Sequence, residues 1–404
     1  MTNVRTGLDI LSTFNFESLC GRNVGIITNH SAVNSQNEHI LDLIQKNKDI
    51  KIKAIFGPEH GIKGNHPDGT QISSFMDEKI GIPIFSLYGA NKKPTEEMLE
   101  GVDTLVFDVQ DAGVRFYTYI WTMALCMESA AKSDIAFYVL DRPNPITAKV
   151  VQGNLLDPKF SSFVGLYPIL LRYGMTIGEL ALLLNGEGFI TPKANLNVIS
   201  MQHYKRSMWY DETALPWVPP SPNLPTLESV INYPGHCLFE GTNVSEGRGT
   251  DYPFEIVCAS WLDGRKLADE LVGNAPSITN VEGRYMRSLL GVEFSPIKTT
   301  PGEIPGKTKS PKYMGEVCGG VKIIIKNRDL FDPILTALTI LIKIRNRYSD
   351  KFQFYETHFD HLAGSDKLRS QIEEGLSPDE IINSWEKDIE QFKEVRGKYL
   401  LYKD

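Results

Sequence analysis

Short apolar runs alternate with amphipathic stretches through the first part of the chain. Asn23–Thr28 (NVGIIT), Ile50–Phe56 (IKIKAIF), Ile82–Gly89 (IPIFSLYG), Asp103–Val109 (DTLVFDV) and Asp134–Asp141 (DIAFYVLD) are apolar on both faces and bounded by turn-forming residues. That pattern predicts buried strands. Between them, Asn37–Asn47 and Thr118–Ser133 carry helical periodicity. Doubly buried strands alternating with helices predict an α/β domain with a parallel sheet.

In such a sheet, ligand sites lie beyond the carboxyl ends of the strands. The segments placed there are polar and punctuated by Gly or Pro: TNHSAV after the first strand, GPEHGIKG after the second, QDAGVRFYTY after the fourth and RPNP after the fifth. None has the glycine spacing of a nucleotide-binding loop. Thr176 opens a predicted helix with Glu179 as its capping partner. The proline-rich stretch Leu215–Gly235 excludes a regular element and is expected to wrap the rim of the sheet. A second domain is expected after it, giving a division into 1–235 and 236–404. It mixes strands such as GVKIIIK with helices such as DPILTALTILIKIRNRY, and a late helix is opened by Ser377 and Glu380.

Composition narrows the function. With 404 residues the chain exceeds one typical core, and 42% hydrophobic with 23% charged residues is an ordinary globular balance. A net charge of -8 without a basic cluster gives no footprint for nucleic acid. The five cysteines, Cys20, Cys126, Cys237, Cys258 and Cys318, show no CxxC spacing, so neither a disulfide framework nor a thiolate zinc site is expected. His30, His60 and His66 share loops without metal-ligand spacing, and no metal or other cofactor is expected. No apolar stretch reads as a secretory signal or a membrane span. The expected location is cytoplasmic, or periplasmic if a leader has been removed.

The densest polar constellation is Phe239–Glu255, FEGTNVSEGRGTDYPFE, expected to be an ordered functional loop. Two carboxylates near arginines suit glycoside cleavage, one protonating the leaving oxygen and the other acting as base, nucleophile or stabiliser. Glu59, Glu246, Asp108 and Asp111 are the candidates, and the alternative for each is a solvated loop carboxylate. His60 is read either as a catalytic neighbour of Glu59 or as a cap on the backbone. A serine nucleophile is disfavoured, because GxSxG is absent and Ser221 sits among prolines.

These strings, with SLYG, SFVGLYPILLRYGMTIGELA and the terminal YLLY in the same order, resemble the exo-β-N-acetylmuramidases of the NamZ type, the DUF1343 group. The resemblance runs nearly end to end. It implies a Rossmann-like domain followed by a smaller α/β domain of α+β character, with an active cleft between them. The implied reaction is hydrolytic release of N-acetylmuramic acid from the non-reducing end of peptidoglycan fragments. It makes Glu59 the candidate acid and brings in Glu246, Arg248, Arg115, Tyr117 and Tyr119. The candidate substrate-binding set is completed by Asn29, Asp108, Gln110, Asp111, Arg142, Asn243 and Asp251. Tyr173 stands where much of the family is expected to have His. Muramic acid carries a lactyl carboxylate, which suits the paired N–H groups of an arginine. Arg115, Arg142 and Arg248 are candidates for that contact. The competing functions are a non-catalytic muropeptide-binding protein and a cell-wall amidase or esterase. The partner expected in each case is a peptidoglycan-derived small molecule or oligosaccharide, not nucleic acid or membrane.

Overall fold

The five apolar runs read as strands all form strands and share one sheet. The computed structural model describes residues 3–64, 67, 75–77, 81–272 and 289–404. Numbered along the chain, the strands are β1 (Asn23–Thr28), β2 (Lys51–Gly57), β3 (Phe75–Asp77), β4 (Ile82–Ser86), β5 (Thr104–Asp108), β6 (Ala136–Leu140), β7 (Gln152–Leu155), β8 (Leu170–Arg172), β9 (Leu196–Ile199), β10 (Ile256–Ala259), β11 (Val292–Thr299) and β12 (Cys318–Ile325). The helices are α1 (Gly7–Thr13), α2 (Ile40–Ile44), α3 (Tyr119–Lys132), α4 (Ile177–Gly186), α5 (Leu227–His236), α6 (Gly264–Val272), α7 (Pro333–Arg347), α8 (Glu356–Ala363), α9 (Lys367–Glu373), α10 (Pro378–Asn383) and α11 (Glu386–Gly397).

The chain forms two compact units, the first from residues 1–151, 173–222 and 392–404, the second from 152–172 and 223–391. The first unit holds a seven-stranded sheet of order β3-β4-β2-β1-β5-β6-β9. All neighbours are parallel except the antiparallel edge pair β3–β4. From β1 the chain steps through β2 and β4 to one side, then through β5, β6 and β9 to the other. The order therefore reverses between β1 and β5, the place where open α/β sheets form their ligand crevice. Register brings Thr28 of β1 level with Asp108 of β5.

Side chains two apart share a face of a strand, and that period sorts the core. Val24, Ile26, Val106, Tyr138 and Leu140 form one buried cluster with Leu8 and Leu11 of α1 and Ile40 and Ile44 of α2. Ile27, Leu105, Phe107, Phe137 and Val139 are buried as well, so both faces of the sheet are covered. Thr176 and Glu179 make the expected capping box on α4.

The second unit carries a three-stranded antiparallel sheet, β10-β12-β11, and the hairpin β7–β8. Helix α6 packs on β11 and β12, and α7 packs on α5. Ser377 and Glu380 cap α10 as their spacing predicts. The expectation that Leu215–Gly235 holds no regular element is corrected by α5. Pro225 precedes the N-cap Thr226, whose side chain accepts from the backbone N–H of Ser229, and Pro234 lies inside the helix near its C-terminal end. Pro225 lies outside the helix and removes no ladder bond, whereas Pro234 removes one in the last turns. The division expected at 235/236 falls inside this helix.

Candidate active site

Past the end of β2, the chain turns sharply. Gly61 N–H donates to the Pro58 carbonyl at 2.9 Å, which puts Glu59 and His60 at the two central positions of the turn. His60 has φ of 67°, a left-handed value that normally calls for glycine. Gly61 and Gly64 are left-handed too, and a Cβ on Gly64 would lie 1.9 Å from Nδ1 of His30. The glycine at 64 lets this loop close against the loop after β1.

The Glu59 carboxyl is half-buried and accepts from the Thr118 hydroxyl at 2.8 Å. Tyr119 OH lies 3.2 Å from both the Glu59 carbonyl and the Pro220 carbonyl, and Tyr117 OH donates to Pro220 at 2.8 Å. The two tyrosine rings meet edge to face at 4.7 Å. His60 is buried with Nε2 3.3 Å from Ser221 Oγ, and His30 Nε2 lies 2.8 Å from the Pro219 carbonyl. Pro219, Pro220 and Ser221 are thus laced one after another onto the rim. Prolines have no N–H, so their carbonyls are the backbone handles left to bind. The strap expected over the rim is therefore present in this stretch. Burial lowers the pKa of His30, the Pro219 bond opposing it, and nearby His60 and His39 add to the depression.

The loop after β5 is held in the same corner. Asn29 Oδ1 accepts from Ser31, and Ser31 Oγ accepts from Gln110 N–H at 3.0 Å. Gln110 Nε2 donates to the carbonyls of Asp111 and Pro143, both at 2.9 Å. Asp111 accepts from Gly113 N–H at 2.8 Å and from the Tyr173 hydroxyl. Burial pushes the Asp111 carboxyl up to about 6 against those bonds and one from the Ala112 N–H. Burial also raises the Tyr173 phenol, with the Asp111 charge adding to the effect. Arg115 is fully buried, and burial lowers its guanidinium to about 9, still cationic at neutral pH. Arg142 closes a two-pronged pair on Asp108 at 2.5 and 2.9 Å and donates to the Val33 carbonyl at 3.0 Å.

Twelve side-chain atoms among the described residues are buried without a hydrogen-bond partner in the protein, and four of them are Asn29 Nδ2, His30 Nδ1, Gln110 Oε1 and Asp111 Oδ1. All four belong to the loops after β1 and β5, the strands flanking the switch point. Buried polar atoms left without a protein partner mark places that water or ligand completes. His66 lies outside the described residues.

The second unit holds the other candidates in a cluster of its own. Glu246 is buried, with Oε1 3.1 Å from Arg248 and Oε2 3.1 Å from Lys312. Arg248 also pairs with Glu240 at 2.9 Å and lies 4.8 Å over the Phe254 ring. Lys312 donates to the carbonyls of Phe239 at 2.7 Å and Val244 at 3.0 Å. Burial works to raise the Glu246 carboxyl, but Lys312 and Arg248 outweigh it and hold the group at about 2. Such a group is a carboxylate at neutral pH and has no proton to give. Asn243 ties Tyr313 OH, Lys351 and Gln353 together, and Asp251 is exposed. Lys312 escaped the sequence reading because it lies far along the chain in a run of ordinary polar residues. Thr118 escaped it because a threonine before a helix reads as a cap.

The family description of the exo-β-N-acetylmuramidase NamZ N-terminal domain matches residues 24–228, and that of the NamZ C-terminal domain matches 231–402. The chain is 45% identical over 400 residues to the peptidoglycan β-N-acetylmuramidase NamZ of Bacillus subtilis (strain 168), covering 99% of this chain and 91% of that one. Two crystal structures of DUF1343 family proteins from Bacteroides fragilis NCTC 9343 align with it over 100% of each chain, at TM-scores of 0.87 and 0.77 with 33% and 34% identity. Matched along nearly its whole length, the chain belongs to the exo-β-N-acetylmuramidase NamZ family.

Proposed function

We propose that this protein is a glycoside hydrolase that removes N-acetylmuramic acid from the non-reducing end of peptidoglycan fragments, with Glu59 as the proton donor. The observation that carries the assignment of Glu59 is its place at a turn beyond the end of β2, beside the switch point, with one carboxyl oxygen anchored by Thr118. A general acid needs a fixed carboxyl within reach of the leaving oxygen. In the reaction, the Glu59 proton passes to the glycosidic oxygen as its bond to the anomeric carbon breaks, the electron pair staying on oxygen. Water supplies hydroxide to the anomeric carbon, and its proton returns the protein to its starting state.

The test is incubation with the disaccharide of N-acetylmuramic acid linked β-1,4 to N-acetylglucosamine, with products separated by mass. Release of both free sugars is expected, and an intact disaccharide overturns the reading. Glu59→Gln keeps the shape and removes the proton, so turnover should fall by about 10² to 10⁴. A muropeptide-binding protein would bind the disaccharide without cleaving it.

A further inference from the structure

We propose that Thr118 is a positioning residue that fixes which oxygen of Glu59 carries the catalytic proton. The inference rests on the reading of Glu59 as the acid. Thr118 precedes α3, where its hydroxyl would ordinarily accept from a backbone N–H of the first turn. It makes no such bond. Its backbone is already helical, with φ of -69° and ψ of -20°, rather than extended as a capping residue requires. The side chain is nine-tenths buried and donates to Oε2 of Glu59 at 2.8 Å.

The neighbouring side chain serves the same residue. Tyr119, the first residue of α3, directs its hydroxyl at the Glu59 carbonyl. The start of the helix thus holds residue 59 at its backbone and at its carboxyl. On the other side, His60 holds the turn in a left-handed conformation that is strained in a non-glycine residue. A forgone cap and a strained turn converge on the orientation of one carboxyl group. With Oε2 accepting from Thr118, the acidic proton resides on Oε1, and the same bond steadies the carboxylate left after transfer.

The experiment compares Thr118→Val, Thr118→Ser and Glu59→Gln on two substrates: the muramic acid–glucosamine disaccharide and the 4-nitrophenyl β-glycoside of N-acetylmuramic acid. Nitrophenolate leaves without a proton, so acid assistance matters for the disaccharide alone. A hydrogen bond to a charged group corresponds to about a ten- to hundredfold effect. Thr118→Val should lower kcat on the disaccharide by that factor at unchanged KM, and should leave the nitrophenyl glycoside within about threefold, as expected where acid assistance is not needed. Thr118→Ser keeps the hydroxyl and should restore disaccharide turnover. Equal losses on both substrates, or no rescue by serine, overturn the proposal. Undiminished disaccharide turnover in Glu59→Gln instead removes the acid assignment itself. A loss in Glu59→Gln with none in Thr118→Val removes Thr118 alone.

Discussion

Ser221 Oγ lies 3.3 Å from Nε2 of His60, with both side chains buried. A hydroxyl on an imidazole is the arrangement that activates an acyl-transfer nucleophile, so the esterase reading needs a test on this pair. The surroundings argue for structure. Ser221 is bracketed by Pro220 and Pro222, and the next helix begins only at Leu227. No helix N-terminus follows the serine to steady an oxyanion. Ser221→Ala should therefore keep muramidase turnover within about threefold and cost about 1 kcal/mol for the lost His60 contact. A hundredfold loss of turnover in a normally folded variant would reinstate Ser221 as a reacting group.

Asp108 and Arg142 form a buried ion pair between the ends of two neighbouring strands. Removing one partner strands a charge in the interior, which typically costs about 3–5 kcal/mol. Arg142→Met should therefore lower the melting temperature sharply. The double variant Asp108→Leu, Arg142→Met should recover part of that loss, because replacing a whole buried pair is often neutral. If Arg142→Met instead folds with parental stability and loses only affinity for muramic acid glycosides, the arginine serves the substrate.

Much of the first unit is legible in the sequence because its signals are local. Runs such as Asp134–Asp141 are apolar on both faces, and the Thr176–Glu179 pair is a self-contained cap. Strand β9 was missed because LNVI is only four residues long, is broken by Asn197 and is half-buried throughout. Helix α5 was missed because the prolines before it, with Pro234 inside it, outweighed the capping signal of Thr226. The rim loops were legible by position, as GPEHG, TNHSAV and QDAGVRFYTY each follow a strand. What each side chain does there depends on partners distant in sequence. Nothing local says that Thr118 turns to Glu59, 59 residues away, or that Lys312 reaches Glu246 across 66.

Glu246 makes the second unit sensitive to acid. Its carboxyl is held at about 2 against a usual value of 4.5. A depressed value means stability that is present above pH 4.5 and is lost as pH falls toward 2. At about 1.4 kcal/mol per pKa unit the difference is of the order of 3 kcal/mol. Glu246→Gln should be less stable than the parent at pH 7 by about that much, and the gap should close by about pH 2. Arg248, engaged by Glu240 and Glu246, should behave as part of the same network. Arg248→Ala should lower stability and reduce activity on muramic acid and glucosamine glycosides in proportion. A loss confined to muramic acid glycosides would return the lactyl contact to Arg248.

The terminal YLLY segment supplies the last prediction. Tyr402 OH donates to Asp141 at 2.5 Å and accepts from the Met201 N–H at 2.8 Å. Asp141 also accepts from Thr176 and from the backbone of Gly178 and Arg142. Burial nevertheless pushes its carboxyl up to about 7, with the Tyr402 bond working in the opposite direction. A raised value in the folded state means that this group's contribution is complete below about pH 4 and is lost as pH rises toward about 7. Tyr402→Phe removes a donor that favours the ionised form, so its cost should stay level below about pH 7 and grow as pH rises through that value, where the parent's Asp141 ionises. Above pH 7 the lost partner is a carboxylate, and the deficit should be about 1.5–3 kcal/mol. Near pH 4 the lost partner is a neutral acid, and the deficit should shrink to about 0.5–1.5 kcal/mol. Urea unfolding of parent and variant at about pH 8 and about pH 4 measures both. Equal deficits at the two pH values would mean that the Tyr402 hydroxyl does not sense the charge on Asp141 and holds the terminal segment through Met201 alone.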